Sequence, residues 1–234
     1  MAVTLDVRWM RADLKSFSKA ARRFIHNHER LDNLEKQLAN AVAEAKQGTR
    51  ELQWSTDIGE GGPIRTESSI MYRSNEAARR RKLFAEITFK FAGALDQRDD
   101  NKLVIRSGGT RVKLGWDDTQ GETLYHFDIH PNAPGHPMLH VQFDSFISEA
   151  PRLHSILAHP IDILEFTLME VFQSQWRKHR EASRFANDAH KYPSNQRRRI
   201  LALFGRYMKW VDSDDPPLIS LLTSPIIPLE FYPV

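Results

Sequence analysis

The chain has 234 residues, of which 41% are hydrophobic and 27% charged, and its formal net charge is +3. At roughly 150 residues per domain this is one to two domains, long enough to bury a core without disulfides or metal. It contains no cysteine, which excludes disulfides, thiolate nucleophiles, iron–sulfur clusters and cysteine zinc sites and fits a reducing, cytoplasmic setting. No run approaches the ~18 apolar residues of a membrane span, so no membrane partner is expected. The stretch MAVTLDVRWMRADLKSFSKAARRF lacks the apolar segment of a secretory signal. Histidine and arginine are unevenly placed: six of the ten histidines lie between His126 and His159, and arginine outnumbers lysine 22 to 11.

Apolar residues recur at alternating spacings of three and four through Leu14, Phe17, Ala21, Phe24, Leu31, Leu38, Val42 and Ala45. This heptad seam, interrupted by His28 and Glu35, predicts one long amphipathic helix within residues 1–48. Asp13 is the expected cap at its start and Gly48 the left-handed residue at its end. A helix of that length offers a surface for a protein partner or a second copy of the chain. Residues 49–78, with WSTDIGEGGPIRTESS, read as a Gly-rich linker.

Residues 79–234 read as an α+β domain. Leu83–Phe91 alternates with strand period. Residues 102–106 and 111–116 flank Ser107-Gly108-Gly109, a hairpin signal, and residues 123–130 and 138–144 are two further alternating runs. The expectation is an antiparallel meander of about five strands. Pro160 suits the first turn of a helix entered at His159, with Ile161, Leu164, Leu168, Val171, Phe172 and Trp176 on one stripe. Pro193 marks a stop, after which Ser194 or Asn195 caps a last helix. The tail PPLISLLTSPIIPLEFYPV is too apolar to stay solvated and is expected to wrap its own domain.

Alternation sorts the hairpin YHFDIHPNAPGHPMLHVQFD into two faces. Tyr125, Phe127, Ile129, Leu139, Val141 and Phe143 share one. His126, Asp128, His130, His140, Gln142 and Asp144 share the other, with His136 in the loop between. Imidazoles and a carboxylate on one face suit a divalent metal, zinc or manganese, with an open position for water. They also suit metal-free acid–base chemistry by a histidine that Asp128 or Asp144 orients. His126, Asp128, His130 and His140 are therefore the candidate catalytic and metal-binding residues.

Basic runs provide a second feature. Arg79, Arg80, Arg81 and Lys82 form one, and Arg197, Arg198 and Arg199 another; both are candidate nucleic-acid contacts. Arg184-Phe-Ala-Asn-Asp-Ala-His190 resembles, by spacing alone, the Arg-x(4–6)-His motif of HEPN ribonucleases, and so does Arg23-Phe-Ile-His-Asn-His28. The resemblance implies action on RNA phosphates, as in a toxin or defence effector, but that family is all-helical and this chain carries strands. The order helix, meander, helices resembles the ubiquitin-conjugating and RWD-like fold, and His130-Pro131-Asn132 resembles that family's His-Pro-Asn turn. Without cysteine, ubiquitin transfer is excluded.

Two functions follow. The first expectation is a non-catalytic accessory protein that binds a protein partner or nucleic acid through the heptad helix and arginine clusters. The alternative is a metal-dependent phosphodiesterase or nuclease centred on the histidine hairpin.

Overall fold

A computed structural model describes residues 3–58, 61–70, 82–117, 122–131, 137–144, 152–183, 191–213 and 229–232. The elements in chain order are β1 (Val3–Asp6), α1 (Val7–Ala21), α2 (Glu29–Gln47), β2 (Glu51–Ser55), β3 (Ile64–Arg65), β4 (Leu83–Leu95), β5 (Lys102–Trp116), β6 (Glu122–Ile129), β7 (Leu139–Asp144), β8 (Leu153–His154), α3 (Pro160–Phe172), α4 (Ser174–Ser183), α5 (Lys191–Val211) and β9 (Leu229–Glu230). The fold is α+β, with a mostly antiparallel sheet. Among the described residues, no helix is long and apolar enough to cross a membrane.

The N-terminal helical region folds back on itself instead of running on as one rod. It starts at Val7, with the Asp6 carboxylate accepting from the backbone of Arg8 and Trp9. Asp13, the expected cap, is buried inside α1. A short 3-10 turn over Arg22–Phe24 ends α1, and residue 25 turns extended. Three contacts fix the break. Ile25 bridges Thr66. Asn27 donates to the Pro63 carbonyl at 2.9 Å and accepts from the Arg65 backbone at 2.8 Å. The Phe24 ring is seated edge-on against Phe172 and Trp176. The break brings the seam together within the chain: Leu14, Phe17, Ala21, Phe24, Leu31 and Leu38 are all buried in one core. Glu35, which interrupts the seam, accepts from Arg11 at 2.7 Å and faces Lys15 at 3.3 Å across the helix pair. Gly48 is not left-handed (φ −120°); Arg50 takes that conformation, with φ 65°.

The sheet runs β2-β4-β5-β6-β7-β8, and β4 and β5 are long enough to hold two neighbours on one edge. β4 pairs with β2 and β3, so both of these strands, which lie in the segment read as a linker, belong to the sheet. β5 pairs with β6 over Gly108–Gly115 and with β1 over Lys102–Ile105. Ser107-Gly108-Gly109 is not a turn but the middle of β5, and the turn before it lies at residues 96–101. Both glycines leave room for a side chain of the neighbouring strand. A Cβ at Gly108 would stand 2.7 Å from the Phe91 ring, and one at Gly109 would stand 2.6 Å from Asp128 Oδ1. Phe91 packs on the core side and Asp128 on the other, so the pair of glycines serves both faces of the sheet.

Helices cover the face made by Leu83, Ala85, Ile87, Phe89, Val112 and Phe127. α3 begins as expected at Pro160, with His159 as its cap. It breaks at Gln173 (φ 45°) before α4, although the apolar stripe continues through Trp176. α5 starts at Lys191, so Pro193 sits in its first turn and does not stop it. The last described residues dock on the same body: Leu229 and Glu230 run parallel to β1, and Phe231 and Tyr232 are buried. The tail residues 214–228 lie outside the described residues.

A closed polar cluster joins α1, α3, α5 and the tail. Arg199 Nη1 donates to Asp13 Oδ2 at 2.5 Å, and the same guanidinium grips both oxygens of Asp162. Asn195 donates to Asp13 Oδ1 at 2.6 Å, and the Tyr232 hydroxyl donates to Asp13 Oδ2 at 3.0 Å. Asn195 is thus not a helix cap. Arg199 is not a surface cation either: its side chain is only 2% exposed, which removes it from the nucleic-acid candidates. A buried guanidinium needs carboxylates, and these two hold it charged.

Candidate metal centre

The site is built on the face of the sheet opposite α2 and α3. In antiparallel sheets, residues directly paired across strands point the same way. One cross-strand row runs Ser55, Lys90, Gly109, Asp128, His140, His154, and the next runs Thr88, Arg111, His126, Gln142. His130 follows the end of β6, where its backbone donates to the Met138 carbonyl at 2.9 Å.

Three of the four expected residues converge. Asp128, His130 and His140 each offer a ligand atom, and these atoms lie within 4.8 Å of one another. The His130 and His140 rings stack at 5.6 Å, and His140 Nε2 stands 3.6 Å from Asp128 Oδ2. His126 lies one row away, opposite Arg111 and Gln142, and is outside this set. The face assignment from alternation holds: Tyr125, Phe127 and Ile129 pair with Phe143, Val141 and Leu139 on the other side.

The electrostatics of His140 are specific. Its side chain is 1% exposed, and Nδ1 lies 3.0 Å from the Pro137 carbonyl. A carbonyl only accepts, so Nδ1 carries the proton. Burial pushes the His140 pKa down, against the raising effects of the Pro137 carbonyl and Asp128. The neutral ring therefore presents the bare Nε2 lone pair to a carboxylate oxygen. Two electron-rich atoms that face each other at that distance are placed to share a cation. A ligand histidine whose other nitrogen is held by a carbonyl is the usual outer-shell arrangement of a metal site. Asp128 is 24% exposed at its side chain, and Gly109 beneath it supplies the space its carboxylate occupies.

Nitrogen and oxygen donors without sulfur suit zinc or manganese. The ligand side opens onto a broad groove lined in part by Asp57, Lys90, Ser107, Gly109, Arg111 and His126. The sequence showed the imidazoles and the carboxylate but not Pro137 or Gly109 as their supports. A glycine pair inside a strand was the signal available, because such glycines mark close approach of a neighbour.

The remaining expected residues divide. Arg79, Arg80, Arg81, His136, Arg184 and His190 lie outside the described residues, as does Asn132 of the His-Pro-Asn string. Lys82 is exposed just before β4, and Arg197 and Arg198 are exposed on α5, with Arg198 over the Trp9 ring. Arg23 and His28 sit at the break between α1 and α2, Arg23 over the Phe24 ring and His28 beside Glu29. No protein-family model, curated protein or solved structure matches the chain.

Proposed function

We propose that this protein holds a divalent transition metal at Asp128, His130 and His140 and uses it to hydrolyse phosphate esters, as a phosphodiesterase or nuclease does. The observation that carries this reading is the convergence of the three ligand atoms within 4.8 Å at the edge of an open groove. A metal on three protein ligands keeps positions open, where it lowers the pKa of water and polarises a phosphoryl oxygen. Hydrolysis adds one water across the ester. The water oxygen bonds to phosphorus, the ester P–O bond breaks, and the leaving oxygen takes up the proton the water gives up. His140 and Asp128 hold the site from the buried side, and His130 closes it from the strand end.

The reading as a non-catalytic binding protein keeps the exposed Lys82, Arg197 and Arg198, but other features that suggested it are used inside the fold. The seam residues pack in the protein's own core, and Arg199 is enclosed by Asp13 and Asp162.

Elemental analysis of the purified full chain tests the proposal. It should find about one equivalent of zinc or manganese, and His140→Ala should abolish it. Less than about a tenth of an equivalent, with no gain of phosphodiesterase activity on adding either metal, would overturn it.

A further inference from the structure

Five cations lie on the two central strands: Lys90 on β4 and Lys102, Arg106, Arg111 and Lys113 on β5. Three are neutralised by carboxylates. Lys102 pairs with Glu230 at 2.7 Å, Arg106 with Glu51, and Lys113 with Glu122 at 2.6 Å. The other two, Lys90 and Arg111, are exposed and have no carboxylate partner among the described residues. They are the two that line the groove with the metal ligands. Asp57, the other carboxylate on that groove besides Asp128, lies just after β2 and interacts with the buried Arg30.

Their placement is as informative as their charge. Arg111 sits diagonally from Asp128 on the adjacent strand, a backbone separation of about 7–8 Å that a guanidinium spans. Lys90 is two strands from Asp128, about 10 Å at the ~4.8 Å strand spacing. Gly109 lies between them in the same row and puts no side chain in the way.

Resting on the metal reading above, we propose that Arg111 and Lys90 form a two-phosphate subsite and that the substrate is a single polynucleotide strand crossing β6, β5 and β4. Arg111 grips the phosphate being cleaved beside the metal. Lys90 holds the neighbouring phosphate along the strand. One divalent cation and one carboxylate leave a net positive charge, and two unpaired cations add to it. A neutral ester or amide would leave both side chains without a partner. A substrate with one phosphate would satisfy Arg111 and leave Lys90 idle.

The test compares Arg111→Gln and Lys90→Gln on two probes, bis(4-nitrophenyl) phosphate and single-stranded DNA or RNA dodecamers. Arg111→Gln should lower kcat/KM on both by about tenfold or more, the worth of one charged hydrogen bond. Lys90→Gln should raise KM for the dodecamers by a similar factor and leave the one-phosphate ester unchanged. An equal effect of Lys90→Gln on both probes, or none on either, overturns the subsite. Metal content of each variant is measured alongside, so loss of the metal is distinguished from loss of the subsite. Should the wild type carry no metal, the metal reading fails, and anisotropy of a fluorescein-labelled dodecamer still decides the subsite. Weaker binding in each variant, with a salt slope shallower by about one, upholds it, and unchanged binding overturns it.

Discussion

Two clusters of histidine and carboxylate sit in this molecule, and they differ in whether their hydrogen bonds close. Around Arg199 every group has a complement. His159 Nδ1 accepts from the Ile161 backbone, so its Nε2 donates to the Tyr232 oxygen at 2.7 Å, and that hydroxyl donates on to Asp13. Asp13 also accepts from Asn195 and Arg199. Around His140 the chain of donors stops. Nδ1 is committed to Pro137, and Nε2 faces Asp128 with no donor between them among the described residues. The first cluster is complete as protein and tethers four segments. The second leaves three ligand atoms within 4.8 Å of one another, the arrangement on which the proposed metal site rests. Similar residue types thus close a network in one place and leave it open in the other, and tautomer and donor count tell them apart.

Removing the guanidinium from the closed cluster should have the largest effect. Arg199→Ala strands the Asp13 carboxylate in the core and should cost about 3–5 kcal/mol in urea unfolding. Metal content of whatever folded protein remains should stay at the wild-type level. A loss of metal in step with stability would show that the clusters are not independent.

The open cluster should respond to metal and not to burial. Zinc at about 1,000 times its Kd should stabilise the wild type by about 4 kcal/mol, read as a rise in thermal midpoint. His140→Ala should show no such rise, while Arg199→Ala should keep it. Stabilisation that survives His140→Ala would place the metal elsewhere.

The contrast between the clusters was only half legible in the sequence. The hairpin's faces followed from alternation, because Tyr125–His130 and Leu139–Asp144 each keep strict period two and the strand has that period. The closed cluster could not be read, since Asp13, Asn195, Arg199 and Tyr232 are separated by as many as 219 residues and meet only through tertiary packing. Heptad spacing also misled. A seam continuing through Phe24 looks like one helix, but the chain turns where Ile25 and Asn27 find backbone partners at Thr66, Pro63 and Arg65. Ser107-Gly108-Gly109 failed for a related reason. Local sequence marks glycine as a turn, whereas here the missing Cβ atoms make room for Phe91 and Asp128.

That account of Gly109 can be broken by a single methyl group. In Gly109→Ala the new Cβ would meet Asp128 Oδ1 at 2.6 Å, so the carboxylate must leave its present position and its geometry against His140 changes. Metal affinity, measured by competition with a chelator, should fall about 10–100-fold, the usual effect of disturbing a ligand's support. Gly108→Ala meets the Phe91 ring on the opposite face instead, and it should lower stability and spare the metal. Equal metal loss in both variants would mean that general damage to β5, and not the Asp128 pocket, is responsible.

The smallest effect separates the clusters by proton. Burial holds the His159 pKa well below 6.5, and the nearby Arg199 charge lowers it further. The unfolded chain then binds the proton that the folded chain refuses. The stability His159 contributes is fully present above about pH 6.5 and is lost as the pH falls below that value, at about 1.4 kcal/mol per pH unit. His154, half-buried beside Tyr207, is lowered by burial too and steepens the wild-type slope. His159→Asn keeps a donor and an acceptor but does not titrate. Urea midpoints taken between pH 6.5 and 5.5 should therefore fall less steeply in this variant, by about one proton's worth. An unchanged slope would mean that His159 is already protonated in the fold, leaving Tyr232 to accept from a cation and breaking the donor chain that distinguishes the closed cluster from the open one.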